Sequence, residues 1–170
     1  KNKVIIKANE TEIVFDKKKG CLVDYMPGNK NVLKAPLRPM FWRAVTDNDL
    51  GNNTPVRLGI WKEAGKRMQV KYFEIDRDTD KIVKIKVKLF DEQSQSAFSS
   101  LYTVFADGRV KVDNHFKAPK NLPDLPRLGM MMHIDNSLKN LKWLGRGPHE
   151  NYADRKTSAF VGFYEGTVWE

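Results

Sequence analysis

Two polar runs contain the residues of this chain that could do chemistry. The longer run lies near the end of the sequence, and its side chains are Arg146, His149, Glu150, Asn151, Tyr152, Asp154 and Arg155. It opens with Gly147-Pro148, a pair typical of turns, and is too polar for a core strand. A rigid, polar loop of this kind is a place where recognition can occur.

The earlier polar run contains Trp42, Arg43, Asp47, Asn48 and Asp49. Its acids and amide could be hard-oxygen ligands for calcium. An EF-hand loop beginning at Asp47 would need Gly and Glu at its sixth and twelfth positions, where this chain has Asn52 and Leu58. The calcium motif is therefore absent, and no metal site is predicted.

The same two carboxyl groups could act as the acid and base of a hydrolase. That chemistry needs them to flank one bond, about 5 to 10 Å apart. Nothing in the sequence indicates a raised pKa for Asp47 or Asp49. The favoured interpretation is that they brace a loop through hydrogen bonds to the backbone, with Arg43 as the partner of one acid.

In the later run, His149 and Glu150 could transfer a proton, and Arg146 or Arg155 could bind an anion. Neighbouring residues of an extended segment point to opposite faces, so His149 and Glu150 converge only if the loop bends. The favoured interpretation is again structural: Arg–carboxylate pairs brace the loop.

Composition indicates a globular protein, since 41% of the residues are hydrophobic and 30% are charged. The net charge is +9, but several lysines alternate with apolar residues, as in Lys84 to Leu89, which is typical of the solvent face of a strand. Because no basic cluster with aromatic stacking partners is visible, we expect no nucleic-acid partner. No apolar run reaches the roughly 18 residues of a membrane span, so no membrane partner is expected.

Cys21 is the single cysteine, which excludes an internal disulfide and a cysteine-based metal cluster. It lies in a strand-like run, where a small buried side chain is favoured over a catalytic thiol. The chain does not begin with Met, and both ends are expected to be cuts in a longer protein. Localisation is therefore left open.

Apolar–polar alternation predicts strands over most of the chain. One short helix is expected around residues 58–66, with Trp61 on its inner face. Asp107-Gly108 predicts a two-residue hairpin turn, and Trp143 is expected in the core. Together these features indicate one all-β sandwich over residues 1–170, with strands at 4–7, 12–15, 21–26, 68–76, 81–90, 97–106, 109–117, 128–134, 141–144 and 158–164, and an extended, proline-punctuated segment at 32–39.

Both polar runs resemble segments of the β-galactosidases of glycoside hydrolase family 2. The earlier segment is similar to residues 41–51 here, and the later one to residues 144–157. The stretch 61–65 between them also resembles the family. The chain departs from it at Val45 and Ala153, where members often have proline.

The resemblance implies an antiparallel β-supersandwich of the galactose mutarotase-like type, truncated here to the first half to two-thirds of the family's C-terminal domain. It implies that the parent enzyme hydrolyses terminal β-D-galactosides with retention. The two catalytic glutamates would lie on an upstream TIM-barrel domain, and no segment here matches their motifs. No catalytic residue and no cofactor are expected in this chain, and any divalent cation of the parent would be bound elsewhere. The parent is expected to be homo-oligomeric.

In some relatives the loop after the earlier motif lies beside the active site. Here that loop would be Gly51, Asn52, Asn53 and Thr54, whose small polar residues suit a mobile segment. The resemblance thus favours a non-catalytic domain with a loop at the active-site rim. The alternative is an independent carbohydrate-binding module.

Overall fold

The computed structural model describes residues 2–151 and 155–168. It is an all-β protein built from antiparallel sheets with few helices, as the alternation predicted. The strands are β1 (Lys3–Ala8), β2 (Thr11–Asp16), β3 (Cys21–Pro27), β4 (Leu33–Met40), β5 (Gln69–Thr79), β6 (Ile82–Asp91), β7 (Ser96–Phe105), β8 (Val110–Lys117), β9 (Gly129–Ile134), β10 (Asn140–Gly147) and β11 (Phe160–Thr167).

The chain divides into two compact units, residues 1–134 and 135–170. The first unit contains three antiparallel sheets, with strand orders β1-β2-β3, β4-β9 and β5-β6-β7-β8. Its core takes side chains from all three sheets. Phe15 of β2 meets Tyr102 of β7 edge to face, with ring centroids 5.0 Å apart.

Strand β6 has alternating buried and exposed side chains. Ile85, Val87 and Leu89 are buried, whereas Lys86 and Lys88 between them are exposed. The prediction that these lysines form the solvent face of a strand is confirmed. A hairpin does form at Asp107-Gly108, but its loop has three residues and not two. The Phe105 N–H donates to the Arg109 carbonyl at 2.9 Å, and the Gly108 N–H donates to the Phe105 carbonyl at 3.0 Å, so the turn is centred on Ala106 and Asp107.

The segment between β4 and β5 differs from the prediction. Instead of one helix over residues 58–66, there are three short α-helices and a 3₁₀ turn. They are α1 (Asp47–Gly51), α2 (Thr54–Arg57), the 3₁₀ turn (Gly59–Trp61) and α3 (Ala64–Arg67). Pro55 lies in the first turn of α2, Gly59 in the 3₁₀ turn and Gly65 in α3, and both residue types disfavour a long continuous helix. Helices this short depend on tertiary packing for stability. In the described part of the chain, no helix has the length and apolar character that a membrane crossing requires.

Trp61 packs in the core, as predicted, and is 1% exposed. Its indole N–H donates to the Pro123 carbonyl at 2.9 Å. Phe41 lies beside it, with ring centroids 6.0 Å apart, and also contacts the rings of Phe98 and Phe116. This group of rings, the aromatic cluster, joins the end of β4 to the helical segment and to strands β7 and β8.

The second unit contains the hairpin of β10 and β11. The prediction of a core position for Trp143 is wrong. Its side chain is 36% exposed and stacks on Tyr164, with ring centroids 5.3 Å apart. A two-stranded sheet has no second layer of its own, so alternation along β10 does not create a buried face. Strand β10 also extends to Gly147, so Arg146 lies in the strand and not in the loop.

Two glycines with similar backbone torsions give a test of packing in the first unit. Gly20 has φ +63°, and a Cβ there would lie 2.7 to 2.9 Å from the side chains of Val70, Leu89 and Val87. Gly28 has φ +65° and open space around the same position. Gly28→Ala should therefore lower the free energy of unfolding by about 1 kcal/mol, for the left-handed backbone alone. Gly20→Ala should cost about 3 kcal/mol, because overpacking adds to that term.

Urea denaturation of the two variants measures the difference. Equal losses for both variants would contradict the tight packing of Gly20 against the four-stranded sheet.

Candidate functional site

The earlier polar run forms a capped helix start. Thr46 is the N-cap of α1, and its hydroxyl accepts the Asp49 N–H at 3.3 Å. In return, the Asp49 carboxylate accepts the Thr46 N–H at 2.9 Å. This reciprocal capping box satisfies backbone donors that the first turn of a helix leaves free. Asp47 and Asn48 are exposed in that first turn, so the segment is helical where a loop was expected.

Arg43 joins the same carboxylate. Its two terminal nitrogens lie 2.8 Å and 2.7 Å from the two oxygens of Asp49, so the pair predicted from the sequence forms in bidentate geometry. The hydrogen bond from the Thr46 backbone, helped by the Thr46 hydroxyl and by Arg43, lowers the pKa of Asp49. Asp49 is therefore ionised near neutral pH and has no proton to supply as a general acid.

The predicted rim loop is a tight surface connection between α1 and α2. Gly51, Asn52 and Asn53 are exposed, while Thr54 is buried at the start of α2. The Asn52 N–H donates to the Asn48 carbonyl at 3.0 Å. Asn53 adopts the left-handed conformation, with φ 54°, which Asn tolerates better than most residues. The loop is thus held at both ends by short helices.

Trp42, between the core and the capped helix, is half-buried and packs against the core. With Met131 and Lys62 it lines a small cleft of about 190 Å³. Because the tryptophan lies partly within the fold, only part of its ring remains for contact with another molecule.

The later polar run is braced within the second unit. The Arg146 guanidinium donates to the carbonyls of Lys156 and Ala159, at 2.8 Å and 2.7 Å. Arg155 forms an ion pair with Glu150. These contacts close the loop between β10 and β11, the kind of bracing the sequence favoured.

His149 and Glu150 do not form a proton-transfer pair. Nδ1 of His149 lies 2.7 Å from the backbone carbonyl of Glu150, and Nε2 lies 3.4 Å from the Ser158 hydroxyl. The Glu150 carboxylate binds Arg155 instead. Asn151 is exposed, and Tyr152 lies outside the described residues.

One polar network was missed by the sequence reasoning. Asp91, 1% exposed, accepts two hydrogen bonds from Arg67, at 3.0 Å and 2.8 Å, and one from the Ser94 hydroxyl at 2.7 Å. The same guanidinium donates to the Ile60 carbonyl at 2.8 Å. Burial raises the pKa of Asp91, but the hydrogen bonds and the charge of Arg67 outweigh it, so the net pKa is lowered. No motif spacing could pair residues from a helix and a strand so far apart.

Among residues 2–151 and 155–168, no group of three or more His, Cys, Asp or Glu side chains could hold a metal ion. Cys21 is buried, as predicted, and burial, with the nearby Asp16 charge, raises the pKa of its thiol to about 11. The thiol is therefore protonated at neutral pH and is a poor nucleophile.

Fold and site together define an all-β domain whose surface loops are braced by Arg–carboxylate pairs. Residues 7–170 match the family model described as the β-galactosidase small chain, and the chain belongs to that family. The family expected from the two polar motifs is thereby confirmed.

Several curated relatives are similar over most of this chain. A β-galactosidase of Priestia megaterium is 37% identical over 157 residues, which is 92% of this chain and 15% of the relative. A β-galactosidase of Vibrio cholerae is 33% identical over 180 residues, which cover 99% of this chain and 18% of the relative. A β-galactosidase of Clostridium acetobutylicum is 30% identical over 162 residues, which cover 95% of this chain and 18% of the relative. The chain therefore spans less than a fifth of these relatives' length.

Arg67 and Lys71 offer a matched comparison of a buried and an exposed ion pair. Arg67→Met leaves the buried Asp91 carboxylate without its cation and should lower the free energy of unfolding by about 3 kcal/mol. Lys71 bridges Glu92 at 2.8 Å with both side chains about half exposed, so Lys71→Met should cost at most about 1 kcal/mol. Chemical denaturation of both variants tests this; similar losses would show that Asp91 does not depend on Arg67.

Proposed function

We propose that this chain is a non-catalytic domain of a β-galactosidase that, at full length, hydrolyses terminal β-D-galactosides with retention. The observation that carries the proposal is the match to the small-chain family over residues 7–170, together with relatives named β-galactosidase that extend far beyond the matched region. The remaining length of such an enzyme has room for an upstream TIM-barrel domain that supplies the two catalytic glutamates.

The use of the carboxylates supports a non-catalytic role. A retaining glycosidase needs two carboxyl groups about 5 Å apart, one of them with a raised pKa. Here Asp49 is held by Arg43 and Thr46, and Asp91 by Arg67. The pKa values of both acids are lowered, the direction opposite to that of a general acid. These carboxylates are therefore suited to bracing.

We further propose that the connection formed by Gly51, Asn52, Asn53 and Thr54 contributes to the rim of the galactoside site. The geometry of the loop supports this role. Its exposed part projects between α1 and α2, while the capping box of Thr46 and Asp49 fixes its start. A loop anchored in this way can present small polar side chains to a neighbouring domain without loosening the fold.

The proposal also covers cofactors and partners. This domain needs no cofactor of its own, and a divalent cation used by the full-length enzyme would be bound by other domains. The partners are the catalytic domain of the same chain and, through oligomerisation of the full-length enzyme, further copies.

The isolated 170-residue chain is expected to be inactive. It should release no nitrophenol from a nitrophenyl β-galactoside, because the catalytic glutamates are proposed to lie on another domain. The full-length enzyme is the positive control. Turnover by the isolated chain that is abolished when one of its own acids is replaced would refute the proposal. Saturable binding of galactose by the isolated chain would favour the carbohydrate-binding module instead.

The rim role of the loop is tested with a bulky side chain in the full-length enzyme. Asn52→Trp should lower kcat/KM for nitrophenyl β-galactoside by about tenfold, since misplacement near a reacting centre is costly in rate. Asp80→Trp, in the exposed turn between β5 and β6, is the matched control and should leave kcat/KM unchanged. Melting temperatures verify that both variants fold. Wild-type kinetics for Asn52→Trp would remove the loop from the rim.

A further inference from the structure

A pocket in the first unit gathers several cations. It lies between the turn joining β2 to β3, strand β4 and helix α3, and has a volume of about 380 Å³. Its polar walls include Lys18, Lys19, Arg38 and Lys66, and no acidic side chain lines it. We call this cavity the basic pocket.

Among the residues that the structure describes, three of these cations have no ion-pair partner. Lys66 bridges Glu63 at 2.7 Å, whereas no acid in the described ranges forms an ion pair with Lys18, Lys19 or Arg38. Arg38 is half-buried, and the partial burial of a charged side chain is unfavourable unless an anion pairs with it. An anion in the pocket would offset that cost.

One acid lies near the pocket and is already engaged. The Asp16 carboxylate accepts the backbone N–H groups of Lys18 and Lys19, at 2.8 Å and 3.0 Å. It shapes the turn of residues 17–20, here called the lysine turn, through the backbone and forms no ion pair with either ammonium group. The three unpaired cations outnumber this single carboxylate, so the charge around the pocket is positive.

Both walls of the basic pocket are fixed by close backbone packing. A Cβ on Gly65 would lie 2.1 Å from the Pro39 carbonyl oxygen, so α3 rests directly on β4 beside Arg38. Gly20, at the end of the lysine turn, is clamped in the same way against Val87 and Leu89 of β6. Because the backbone of both walls is fixed, less conformational entropy of the protein is lost when a ligand binds.

The uncharged lining complements the cations. Met68 and Leu89 contribute an apolar surface, and Cys21 lies among the lining residues. Its thiol is protonated at neutral pH, because burial raises the pKa to about 11. None of the residues that line the pocket therefore carries a negative charge.

We propose that the basic pocket binds a small phosphate monoester. Arg38 can grip two phosphate oxygens with its planar fork, and Lys18 and Lys19 supply the further positive charge that a dianion requires. The apolar wall of Met68 and Leu89 takes the organic part of the ester. The volume is within the range of small-molecule sites, which is roughly 300 to 1,000 Å³. This site is separate from the proposed rim loop and goes beyond the proposed function.

The test is calorimetric titration of the full-length enzyme with phenyl phosphate at constant ionic strength. Benzoate serves as the carboxylate analogue and inorganic phosphate as the ligand without an organic part. We expect saturable binding of phenyl phosphate, with weaker binding of both other probes. Arg38→Gln should weaken the binding about tenfold, the size expected for a lost charge-assisted hydrogen bond.

Lys117→Gln is the matched control, because it removes one positive charge from β8, away from the pocket, and should leave the affinity unchanged. Lys19→Gln provides a second pocket variant if Arg38→Gln lowers the melting temperature. Three results would overturn the proposal: no saturable binding, equal losses in pocket and control variants, or benzoate binding as tightly as phenyl phosphate.

Discussion

The packing of Phe41 is the constraint on which the rest of this structure depends. Its ring lies 4.9 to 6.0 Å from the rings of Phe116, Trp61 and Phe98, which belong to different elements of the first unit. Large aromatic side chains bury much apolar area and dominate core energetics. Because Phe41 is followed directly by the earlier polar run, this cluster also decides where that run leaves the core. The packing of the aromatic cluster therefore determines the position of the earlier polar run.

Polar contacts fix the conformation of the segments that leave the core. Arg43 and Thr46 secure Asp49 at the start of α1, and Arg67 secures Asp91 at the end of β6. A buried ion pair adds little net stability, because desolvation offsets the Coulomb attraction, but breaking one is costly. Such contacts therefore specify a single arrangement. This suits a domain proposed to lend a rigid surface to a neighbouring catalytic site.

The positive charge of the chain is distributed in two different ways. On the outer face of the four-stranded sheet, Lys84 and Lys86 are matched by Asp78, Glu74 and Asp76 on the neighbouring strand. Cross-strand pairs of this kind neutralise one another. In the described ranges, no acid forms an ion pair with Lys18, Lys19 or Arg38, so three unpaired cations lie together at the basic pocket. Composition gives only the net charge of the chain, whereas the structure shows where the unpaired cations lie.

Strand positions, the hairpin at Asp107-Gly108 and the family could be read from residue order, because alternation, turn chemistry and motifs are local properties. Only the tertiary structure shows the Arg67–Asp91 pair, the exposure of Trp143 and the division of residues 47–67 into several short helices. An ion pair depends on which distant segments meet, and a strand buries a side chain only where a second layer covers it. Residue order along one segment does not encode either condition.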